Sequence, residues 1–441
     1  MTLNATKYIM SASGGGESYW AAFLGGSQAD PFFDLKIDSN GDIVCAGKTY
    51  SDGAGNQDFL IAKFDKEGEL LWDRTLGKSG KSAEAYGIAI DSSNNIYVSG
   101  YANITSRGEQ WLIAKYNSSG VIQWNKHVGP SGAGSADRCR GIAVDSSDNI
   151  ICVGTIQSSP AYQEEAVVAK FDSSGGQLWD RKLDGSGNDE YRSVAVDSSD
   201  NIYAVGGSAS GSSGDKDFLV AKYNSSGTIQ WKKILGGSSL EYADGVALDS
   251  SANIYMIGRT YSSAGATGDF LLAKYDSSGT FQFDKVLGGT GIDNGKGVTV
   301  DSSGNVYVTG DSTSVGPSSY SSVVVKYNSS GVVQWQNVFG GSGRGDSNAI
   351  ALDADGNVYF CGYDKTVGAG DEEGMLVKVR GDGSGTGTFG SFTYATSTLT
   401  ASEISLTDQT AGANDGGISM DINDASFTDA AAVLTSTKVN M

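Results

Sequence analysis

The chain has 441 residues, a formal net charge of −20 and a sequence pI near 4.4. A surface this acidic repels phosphate groups, which excludes nucleic acid and anionic membranes as favoured partners. No stretch reaches the roughly 18 consecutive apolar residues of a membrane-spanning helix, so membrane insertion is not expected.

The first recognisable element in the chain is the octet YWAAFLGG at residues 19–26. A similar octet, QWKKILGG at 230–237, closes a longer unit further along the chain. The residues before the first octet have no basic start followed by an apolar run, so the sequence predicts no secretory signal. Residues 8–11 are not assigned to any element.

Seven repeats of 52 to 54 residues follow the octet. Each has two apolar stretches around a D-S-S-x-N-like turn and two more around an N-S-S-G-like or D-S-S-G-like turn. An Asp marks the first turn of every repeat, and a Lys follows it by 24 or 25 residues: Asp38, Asp91, Asp145, Asp197, Asp249, Asp301 and Asp353, with Lys63, Lys115, Lys170, Lys222, Lys274, Lys326 and Lys378. Two hairpins per repeat predict a four-stranded antiparallel sheet. Because the sheets recur about every 50 residues, they predict a β-propeller.

An aromatic residue in the fourth stretch of each repeat counts the sheets. Six of these aromatics lie inside the repeats: Trp72, Trp124, Trp179, Trp231, Phe283 and Trp335. The seventh is Trp20, in the N-terminal octet. The seventh sheet therefore takes three strands from 349–379 and its outermost strand from 18–26, which leaves no free sheet edge. The sequence predicts an all-β fold, a seven-bladed β-propeller over residues 1–380.

The repeats also resemble a known family. The runs D-S-S-G-N-[IV]-Y-V-x-G and A-K-Y-[ND]-S-S-G-x-x-x-W are similar to the SBBP repeat of bacterial and phage proteins, over about residues 34–380. This resemblance implies a seven-bladed β-propeller, in agreement with the count of aromatics. It implies no particular activity, because propellers carry unrelated functions.

From residue 381 to 441 the composition changes to Gly, Ser, Thr and Ala. The start, GDGSGTGTFGS, predicts a flexible linker. The rest has too few large apolar residues for a core of its own, so we expect an attachment or oligomerisation arm that packs against another chain. The segment resembles the Ser/Thr/Ala-rich termini of structural proteins from marine bacteriophages, which implies other virion proteins as partners of 381–441.

The sequence predicts neither a catalytic residue nor a metal site. With His127 as the single histidine, a His-rich zinc site is excluded and a Ser-His-Asp triad has one candidate. The cysteines form no CxxC pair and are interpreted as buried apolar residues: Cys45, Cys139, Cys152 and Cys361.

Calcium is the alternative to turn capping at two of the repeated Asp residues. The turns DSNGD (38–42) and DADGN (353–357) have oxygens at alternate positions, as calcium loops do. They lack the Gly at the sixth position and the Glu at the twelfth position of an EF-hand loop.

Two sets of residues are candidates for ligand binding. The first is a set of tyrosines on the longer connections, which differ from repeat to repeat: Tyr50, Tyr101, Tyr162, Tyr261, Tyr320 and Tyr363. Exposed tyrosines suit sugars or protein surfaces, although tyrosine is also common in β loops. The second set precedes each strand Asp by seven or eight residues and predicts an acidic ring at the channel mouth: Asp30, Glu84, Asp137, Asp189, Glu241, Asp293 and Asp346. A cation or basic partner at this ring is one interpretation, and local hydrogen bonds that hold the loops are the other.

These features together favour a non-enzymatic bacteriophage virion protein, assembled in the host cytoplasm. We expect a tail or appendage component that displays the propeller for recognition of a host-surface glycan or protein. The alternatives are a bacterial secreted or cell-surface binding propeller and a propeller enzyme that acts on polysaccharide.

Overall fold

A computed structural model describes residues 4–10, 19–103, 108–129, 135–157, 164–185, 187–210, 216–262, 267–367, 371–402, 406–410, 414–416, 421–424, 428–430 and 435–438. These residues form 38 β-strands and no helix. Among them, therefore, no helix has the length and apolar character needed to cross a membrane.

The strands follow the repeats of the sequence. The first two are β1 (Asn4–Met10) and β2 (Tyr19–Gly25). Blade 1 holds β3 (Phe32–Ile37), β4 (Ile43–Thr49), β5 (Asp58–Phe64) and β6 (Leu70–Gly77). Blade 2 holds β7 (Ala83–Ile90), β8 (Ile96–Asn103), β9 (Gly108–Tyr116) and β10 (Ile122–Gly129), and the short β11 (Ser135–Ala136) pairs with β9. Blade 3 holds β12 (Arg138–Val144), β13 (Ile150–Gln157), β14 (Glu164–Phe171) and β15 (Gln177–Asp184).

The later blades have the same order. Blade 4 holds β16 (Asp189–Val196), β17 (Ile202–Ser208), β18 (Asp217–Tyr223) and β19 (Ile229–Gly236). Blade 5 holds β20 (Glu241–Leu248), β21 (Ile254–Thr260), β22 (Asp269–Tyr275) and β23 (Phe281–Gly288). Blade 6 holds β24 (Asp293–Val300), β25 (Val306–Ser312), β26 (Ser321–Tyr327) and β27 (Val333–Gly340). Blade 7 holds β28 (Gly345–Leu352), β29 (Val358–Asp364) and β30 (Glu373–Val379), and it takes β2 as its fourth strand.

The seven-bladed β-propeller prediction is confirmed, including the origin of the last strand. In blade 7, β2 pairs antiparallel with β30, and Trp20 lies opposite Lys378. The same aromatic–lysine register recurs in the other six blades: Trp72–Lys63, Trp124–Lys115, Trp179–Lys170, Trp231–Lys222, Phe283–Lys274 and Trp335–Lys326. The unassigned residues near 8–11 lie partly in β1, which pairs with β2 as a further outer strand.

The chain divides into two compact units. Unit 1 comprises Met1–Ala85, Gly288–Thr400 and Phe427–Met441, and it contains blades 1, 6 and 7. Unit 2 comprises Tyr86–Leu287 and Ala401–Ser426, and it contains blades 2 to 5. In each unit the core lies between neighbouring sheets, as where Val153 and Val168 of blade 3 pack with Leu219 of blade 4. The near-continuous Val, Ile, Leu and Ala runs suit strands that are covered on both faces.

The outer-strand tryptophans link neighbouring blades at their turns. Trp179 of blade 3 donates from its indole Nε1 to the carbonyl of Ser225 in blade 4, at 3.3 Å. In the same turn Gly227 has φ of +78°. A Cβ there would come within 2.8 Å of the Trp179 ring, so the turn needs glycine both for its backbone conformation and for the close approach of the ring.

The C-terminal segment adds an outer strand to every blade. Its strands are β31 (Gly387–Phe389), β32 (Phe392–Thr396), β33 (Thr400–Ser402), β34 (Thr407–Thr410), β35 (Asn414–Gly416), β36 (Asp421–Asp424), β37 (Thr428–Ala430) and β38 (Thr435–Lys438). In that order, β32 to β37 pair with β27, β23, β19, β15, β10 and β6, and β38 pairs with β1.

The structure differs from the predicted flexible linker at the start of this segment. β31 and β32 pair with each other, and Phe392 and Tyr394 are buried in the core of unit 1. The Phe392 ring stacks on Phe23 at 4.8 Å and on Phe339 at 5.3 Å between ring centroids. These two aromatic side chains pack this part of the segment against the core of unit 1. Whether 381–441 also attaches the protein to another chain stays a prediction.

The residues discounted for catalysis lie in structural positions. His127 is on β10, the last of the four repeat strands of blade 2. All four cysteines are buried and unpaired by disulfides, in agreement with their interpretation as core residues.

Candidate functional site

Each blade has two ends with different chemistry. At the turn end lie the D-S-S-x-N-like and N-S-S-G-like hairpin turns. At the loop end, the second strand leads into the third and the fourth strand leads into the next blade through longer connections that vary between blades. A uniform end acts as scaffold, whereas an end that varies from blade to blade offers distinct side chains to a ligand.

The repeated Asp residues cap the hairpin turns. Asp145 accepts hydrogen bonds from the backbone N–H groups of Ser147 and Asn149, both at 2.9 Å, which is an Asx-turn arrangement. Lys170 Nζ lies 2.6 Å from Asp145 Oδ2. The Lys–carboxylate contact expected from the repeat recurs in three other blades, as Lys63–Asp38, Lys115–Asp91 and Lys378–Asp353.

The two candidate calcium turns are also held by their own blades. Lys63 Nζ lies 2.8 Å from Asp38 Oδ2 and 3.0 Å from Asp42 Oδ2, so an ammonium group bridges the two carboxylates. In the other turn, Asp353 accepts from Asn357 Nδ2 at 2.9 Å and from Tyr359 Oη at 3.2 Å. In the part of the chain that the structure describes, no group of three or more His, Cys, Asp and Glu side chains is placed to share a metal ion.

A cavity of about 420 Å³ opens at the turn end of unit 1. Tyr307, Lys326, Asp355, Arg380 and Asp382 are among its lining residues. Tyr307 and Lys326 are repeat residues with equivalents in the other blades, where the same Lys-over-Tyr contact recurs, for example Lys274 over Tyr255 at 4.7 Å. The cavity walls are therefore partly scaffold, and the varied side chains lie at the loop end.

The predicted acidic residues are buried instead of lining an open mouth. Five of them are fully buried and one nearly so: Asp30, Asp137, Asp189, Glu241 and Asp293, with Asp346 at 4% exposure. Asp189 accepts from Ser208 Oγ at 2.5 Å and from Ser210 Oγ at 2.7 Å. Burial raises the pKa of Asp189 although these hydroxyls lower it. Hydroxyl and backbone N–H groups of the same blade donate to most of these carboxylates, which favours the interpretation of local hydrogen bonds that hold the loops. A cation or basic partner at this ring stays a prediction.

The same arrangement recurs in three other blades. Asp30 accepts from Thr49 and Ser51, Glu241 from Thr260, and Asp293 from Ser312 and Ser314. Glu84 is the exception, since it is partly exposed and accepts from Lys48 Nζ at 3.1 Å and from Gln57 Nε2 at 2.7 Å. These acids hold the ends of the strands in place.

A β-bulge near the loop end of the first strand is present in six blades, and the residue type at this position varies. Cys139 pairs with Gly154 and Gly141 with Val153, so Arg140 is an extra residue without a partner in the ladder. The same shift occurs in the first strand of five other blades, and the six bulge residues are Phe33, Arg140, Arg192, Asp244, Lys296 and Asn348. A bulge redirects its side chain away from the regular pleat, so residues that differ between blades are presented at this end.

In unit 2 these bulge residues belong to an arginine–tyrosine–carboxylate network. Arg192 lies 2.5 Å from Asp244 Oδ1 through Nη1 and 3.1 Å from Glu190 Oε1 through Nη2. Its guanidinium also lies 4.3 Å from the centre of the Tyr242 ring, and that of Arg259 lies 4.2 Å from the same ring. Although burial opposes ionisation, Arg192 and Lys216 lower the pKa of Glu190 to about 2. Glu190 is therefore a fixed negative charge at neutral pH.

A second charged cluster lies at the loop end of blades 6 and 7, in unit 1. Lys296 Nζ is 2.5 Å from Asp346 Oδ1 and 3.0 Å from Asp311 Oδ1. Burial and the neighbouring Asp311 raise the pKa of Asp346 to about 6, against the opposite effect of Lys296. Arg344 lies 3.8 Å from Asp346 and is exposed to solvent.

The candidate tyrosines lie next to cations. Tyr50 is 38% exposed and Lys48 Nζ lies 5.2 Å from its ring centre. Tyr101 and Tyr363 are only 6% and 7% exposed, so the prediction of exposed rings is wrong for these two. The guanidinium groups over the candidate rings are those of Arg138 on Tyr101 at 5.2 Å, Arg259 on Tyr261 at 5.7 Å, and Arg344 on Tyr320 at 4.2 Å and on Tyr363 at 5.8 Å. Tyr162 lies outside the described residues.

The arginines of the loop end were missed by the sequence reasoning. Among the arginines that the structure describes, five lie here: Arg138, Arg140, Arg192, Arg259 and Arg344. The signal was present in the repeat, because the fifth residue before each strand Asp varies in charge and size while its neighbours are mostly small or apolar. The ligand-binding role of the tyrosines and arginines stays a prediction.

Comparison with known proteins agrees with the fold. Residues 72–106 and 286–317 match the family described as SBBP, beta-propeller repeat, which confirms the resemblance seen in the sequence for these segments. An uncharacterized WD repeat-containing protein of Acanthamoeba polyphaga mimivirus is 26% identical over 293 residues, which cover 62% of this chain and 17% of the relative. The chain thus spans about a sixth of the length of this curated relative.

Solved structures similar to this chain include two enzymes. A polysaccharide lyase is 8% identical, with a TM-score of 0.44 and coverage of 81% of this chain and 90% of the other. An α-L-arabinofuranosidase from Fusarium graminearum is 9% identical, with a TM-score of 0.43 and coverage of 81% and 96%.

Proposed function

We propose that this chain is a non-catalytic recognition module of a virus particle, a bacteriophage tail or appendage component that contacts the host surface through the loop end of its blades. The observation that carries the proposal is a set of four arginine or lysine side chains that lie over tyrosine rings at this end. Arg and Tyr are the residues that dominate recognition surfaces, because they combine large flat contact areas with directional hydrogen bonds.

The chemistry of the loop end favours binding over catalysis. Glu190 has a pKa of about 2 and is held by Arg192 and Lys216, so it is unsuited to donate a proton at neutral pH. The aromatic rings and guanidinium groups are suited to contact a saccharide or a protein surface. The viral origin of the curated relative supports assignment to a virus particle.

Two measurements on the full chain test this proposal. Antibodies against the purified chain should label purified phage particles from the source in immunogold microscopy. The full chain should also bind intact host cells, and Arg344→Gln should weaken this binding about 10-fold if Arg344 supplies a charge-assisted hydrogen bond. Lys66→Gln at the turn end is the matched control, since Lys66 is 67% exposed in its side chain and far from the loop-end residues in its own blade.

The opposite results would redirect the proposal. Labelling of the bacterial envelope with unlabelled particles would favour a secreted or cell-surface binding propeller. Equal loss of cell binding in Arg344→Gln and Lys66→Gln would mean that the loop end carries no specific recognition.

The second candidate function is that of an enzyme that acts on polysaccharide, and the raised pKa of Asp346 favours it. A carboxyl group whose pKa is near 6 suits general acid–base catalysis close to neutral pH. Release of new reducing ends or unsaturated products from a host polysaccharide, lost in Asp346→Asn, would support this alternative. The recognition proposal expects no such products.

A further inference from the structure

We infer that the loop end of blades 2 and 3 binds an acidic saccharide, and that Arg140 holds a carboxylate of this ligand. The inference rests on the proposed recognition function, and it names the chemical class of the ligand and one residue that selects it. It comes from the contacts of Arg140, which differ from those of the equivalent residue in the next blade.

In the part of the chain that the structure describes, no carboxylate forms an ion pair with Arg140. Among the described residues it forms neither a hydrogen bond nor an ion pair, and its Nε is buried without an acceptor. Arg192, at the same bulge position of blade 4, is held by Asp244 and Glu190. Arg138, two residues before Arg140, is held by Glu109 at 2.7 Å. Because its neighbours Arg138 and Arg192 are paired with carboxylates and Arg140 is not, the Arg140 guanidinium is suited to bind an anionic ligand.

Glu190, a carboxylate that interacts electrostatically with Arg140, is already held by other cations. Arg140 contributes to the low pKa of Glu190, but Arg192 and Lys216 are the groups that contact Glu190. If Arg140 rotated toward Glu190, it would be the third cation on one carboxylate. Glu190 is therefore a weak competitor of a ligand carboxylate for the Arg140 guanidinium. The planar fork of arginine matches the two oxygens of a carboxylate, which favours bidentate binding.

One tyrosine ring lies beside this guanidinium, and a second ring lies beside the first. Arg140 is 5.1 Å from the centre of the Tyr86 ring, and Tyr86 is 5.8 Å from the ring of Tyr101. Arg140 and Tyr86 are both partly exposed. Tyrosine offers an apolar face to the C–H side of a pyranose ring and a hydroxyl to its oxygens. An arginine beside paired tyrosines therefore matches a sugar that carries a carboxylate, such as a uronic acid.

The strong negative charge of the chain does not oppose this assignment at short range. At physiological ionic strength charges are screened over about 8 Å, so the carboxylates of distant blades contribute little at Arg140. Within the local group, Glu109 contacts Arg138, and Glu190 and Asp244 contact Arg192, so these carboxylates are held by arginines other than Arg140. Because the net charge of the chain is −20, an acidic polymer binds most favourably at arginines that have no carboxylate partner.

Isothermal titration of the full chain tests the inference. The probes are an oligogalacturonate and its fully methyl-esterified counterpart, which has the same sugar rings without the charge. The wild-type chain should bind the acidic form and discriminate against the ester. Arg140→Gln should weaken binding of the acidic form about 10- to 100-fold, the range expected for loss of a charge-assisted bidentate contact. Arg140→Lys keeps the charge but loses the fork, and it should lie between the two.

The controls separate a binding role from a structural one. Lys66→Gln removes one positive charge at the turn end and should leave binding unchanged. Because Arg140 makes no internal ion pair among the described residues, Arg140→Gln should keep the melting temperature of the wild type. A lowered melting temperature together with lost binding in both Arg140 variants would assign Arg140 to stability and overturn the inference.

Two further outcomes overturn it without affecting the proposed function. Equal affinity of Arg140→Gln and wild type for the acidic probe would remove Arg140 from the site. No discrimination between the acidic probe and its ester would exclude an acidic saccharide, while binding to host cells and labelling of particles would still decide whether the chain is a recognition module.

Discussion

At the end of β29, Asp364 occupies a position that holds a hydroxyl residue in four other blades: Thr49, Ser208, Thr260 and Ser312. The acid that faces those hydroxyls is replaced in blade 7 by Gly345. Asp364 Oδ1 accepts from the backbone N–H of Thr366 at 2.5 Å, whereas its Oδ2 is buried without a hydrogen-bond donor among the described residues. Burial consequently raises the pKa of Asp364 to about 6.

This pKa predicts a pH-dependent effect of Asp364→Asn. Between the unfolded pKa of 3.8 and the folded pKa of about 6, the folded state holds a proton that the unfolded state has lost, so the stability contribution falls as pH rises through this window. Removal of the charge should raise the free energy of unfolding by about 1–3 kcal/mol at pH 8 and have little effect below pH 4. Urea unfolding at pH 8 and pH 3.5 measures both values.

Asp172 supplies a control of opposite sign. Hydrogen bonds from Ser174 and Gly176 lower the pKa of Asp172 in its exposed turn, so its contribution is present above pH 3.8 and is lost as pH falls. Asp172→Asn should therefore destabilise the protein at pH 8. A destabilising effect of Asp364→Asn at pH 8 would contradict the assignment of a buried, poorly solvated carboxylate.

The inner strands depend on a glycine opposite each bulge. A Cβ on Gly154, Gly206 or Gly258 would lie 2.0 Å from a carbonyl oxygen of the adjacent inner strand, that of Arg138, Glu190 or Tyr242. These carbonyls belong to residues just before the bulge, so the glycine makes room for the extra residue. The glycine and the bulge thus act together, and they allow a strand of the repeat to present a side chain that varies between blades.

Gly206→Ala should therefore destabilise blade 4 while its neighbour tolerates the same change. The clash at Gly206 is with backbone, which cannot move without breaking the ladder, and we expect a loss of about 2–4 kcal/mol by the strain of overpacking. At Gly207 the nearest atom to a new Cβ is Tyr242 Cβ at 3.3 Å, so Gly207→Ala should cost less than about 1 kcal/mol. Chemical denaturation of both variants against the wild type gives the comparison. Equal losses would show that the bulge does not require a glycine opposite it.

At the scale of the whole chain, the first and last segments complete sheets that the repeats leave open. β2 is the fourth strand of blade 7, and β1 and the C-terminal strands pair along outer edges. Unpaired sheet edges promote aggregation, and short added strands reduce that hazard. The anchoring of the C-terminal segment is uneven, because Phe392 and Tyr394 are buried in unit 1.

Two truncations should have different effects. Deletion of 403–441 leaves the four repeat strands of each blade and the buried Phe392 and Tyr394 in place, so the chain should stay folded with a similar unfolding midpoint. Deletion of 381–441 removes both aromatics from contact with Phe23, Phe339 and Asn337 and should cost about 3–5 kcal/mol for each large side chain lost. Thermal unfolding and size-exclusion chromatography measure the difference. Equal midpoints would contradict a core role for β32.

The shorter deletion also tests attachment, since it should abolish incorporation into particles if 403–441 is the anchor.

The repeat, the number of blades and the shared seventh sheet follow from the amino-acid sequence alone. These features depend on local signals, namely the Asp-capped turns, the paired apolar stretches and the aromatic opposite Lys, and Trp20 completes the count because the same register recurs there. The buried cysteines follow from the same periodicity.

Which side chains meet at the loop end depends on contacts between sheets that are distant in the sequence. Arg192 and Asp244 are 52 residues apart and come into contact because neighbouring sheets pack face to face, while the bulge changes the direction of both side chains. The regular alternation of side chains along a strand does not predict the bulge. It also does not predict which arginine forms no ion pair with a carboxylate, and among the described residues Arg140 is such an arginine. The place of the C-terminal strands was equally hidden, because their Ser/Thr-rich sequences have no strong apolar pattern and the outer edges of the blades determine where they pair.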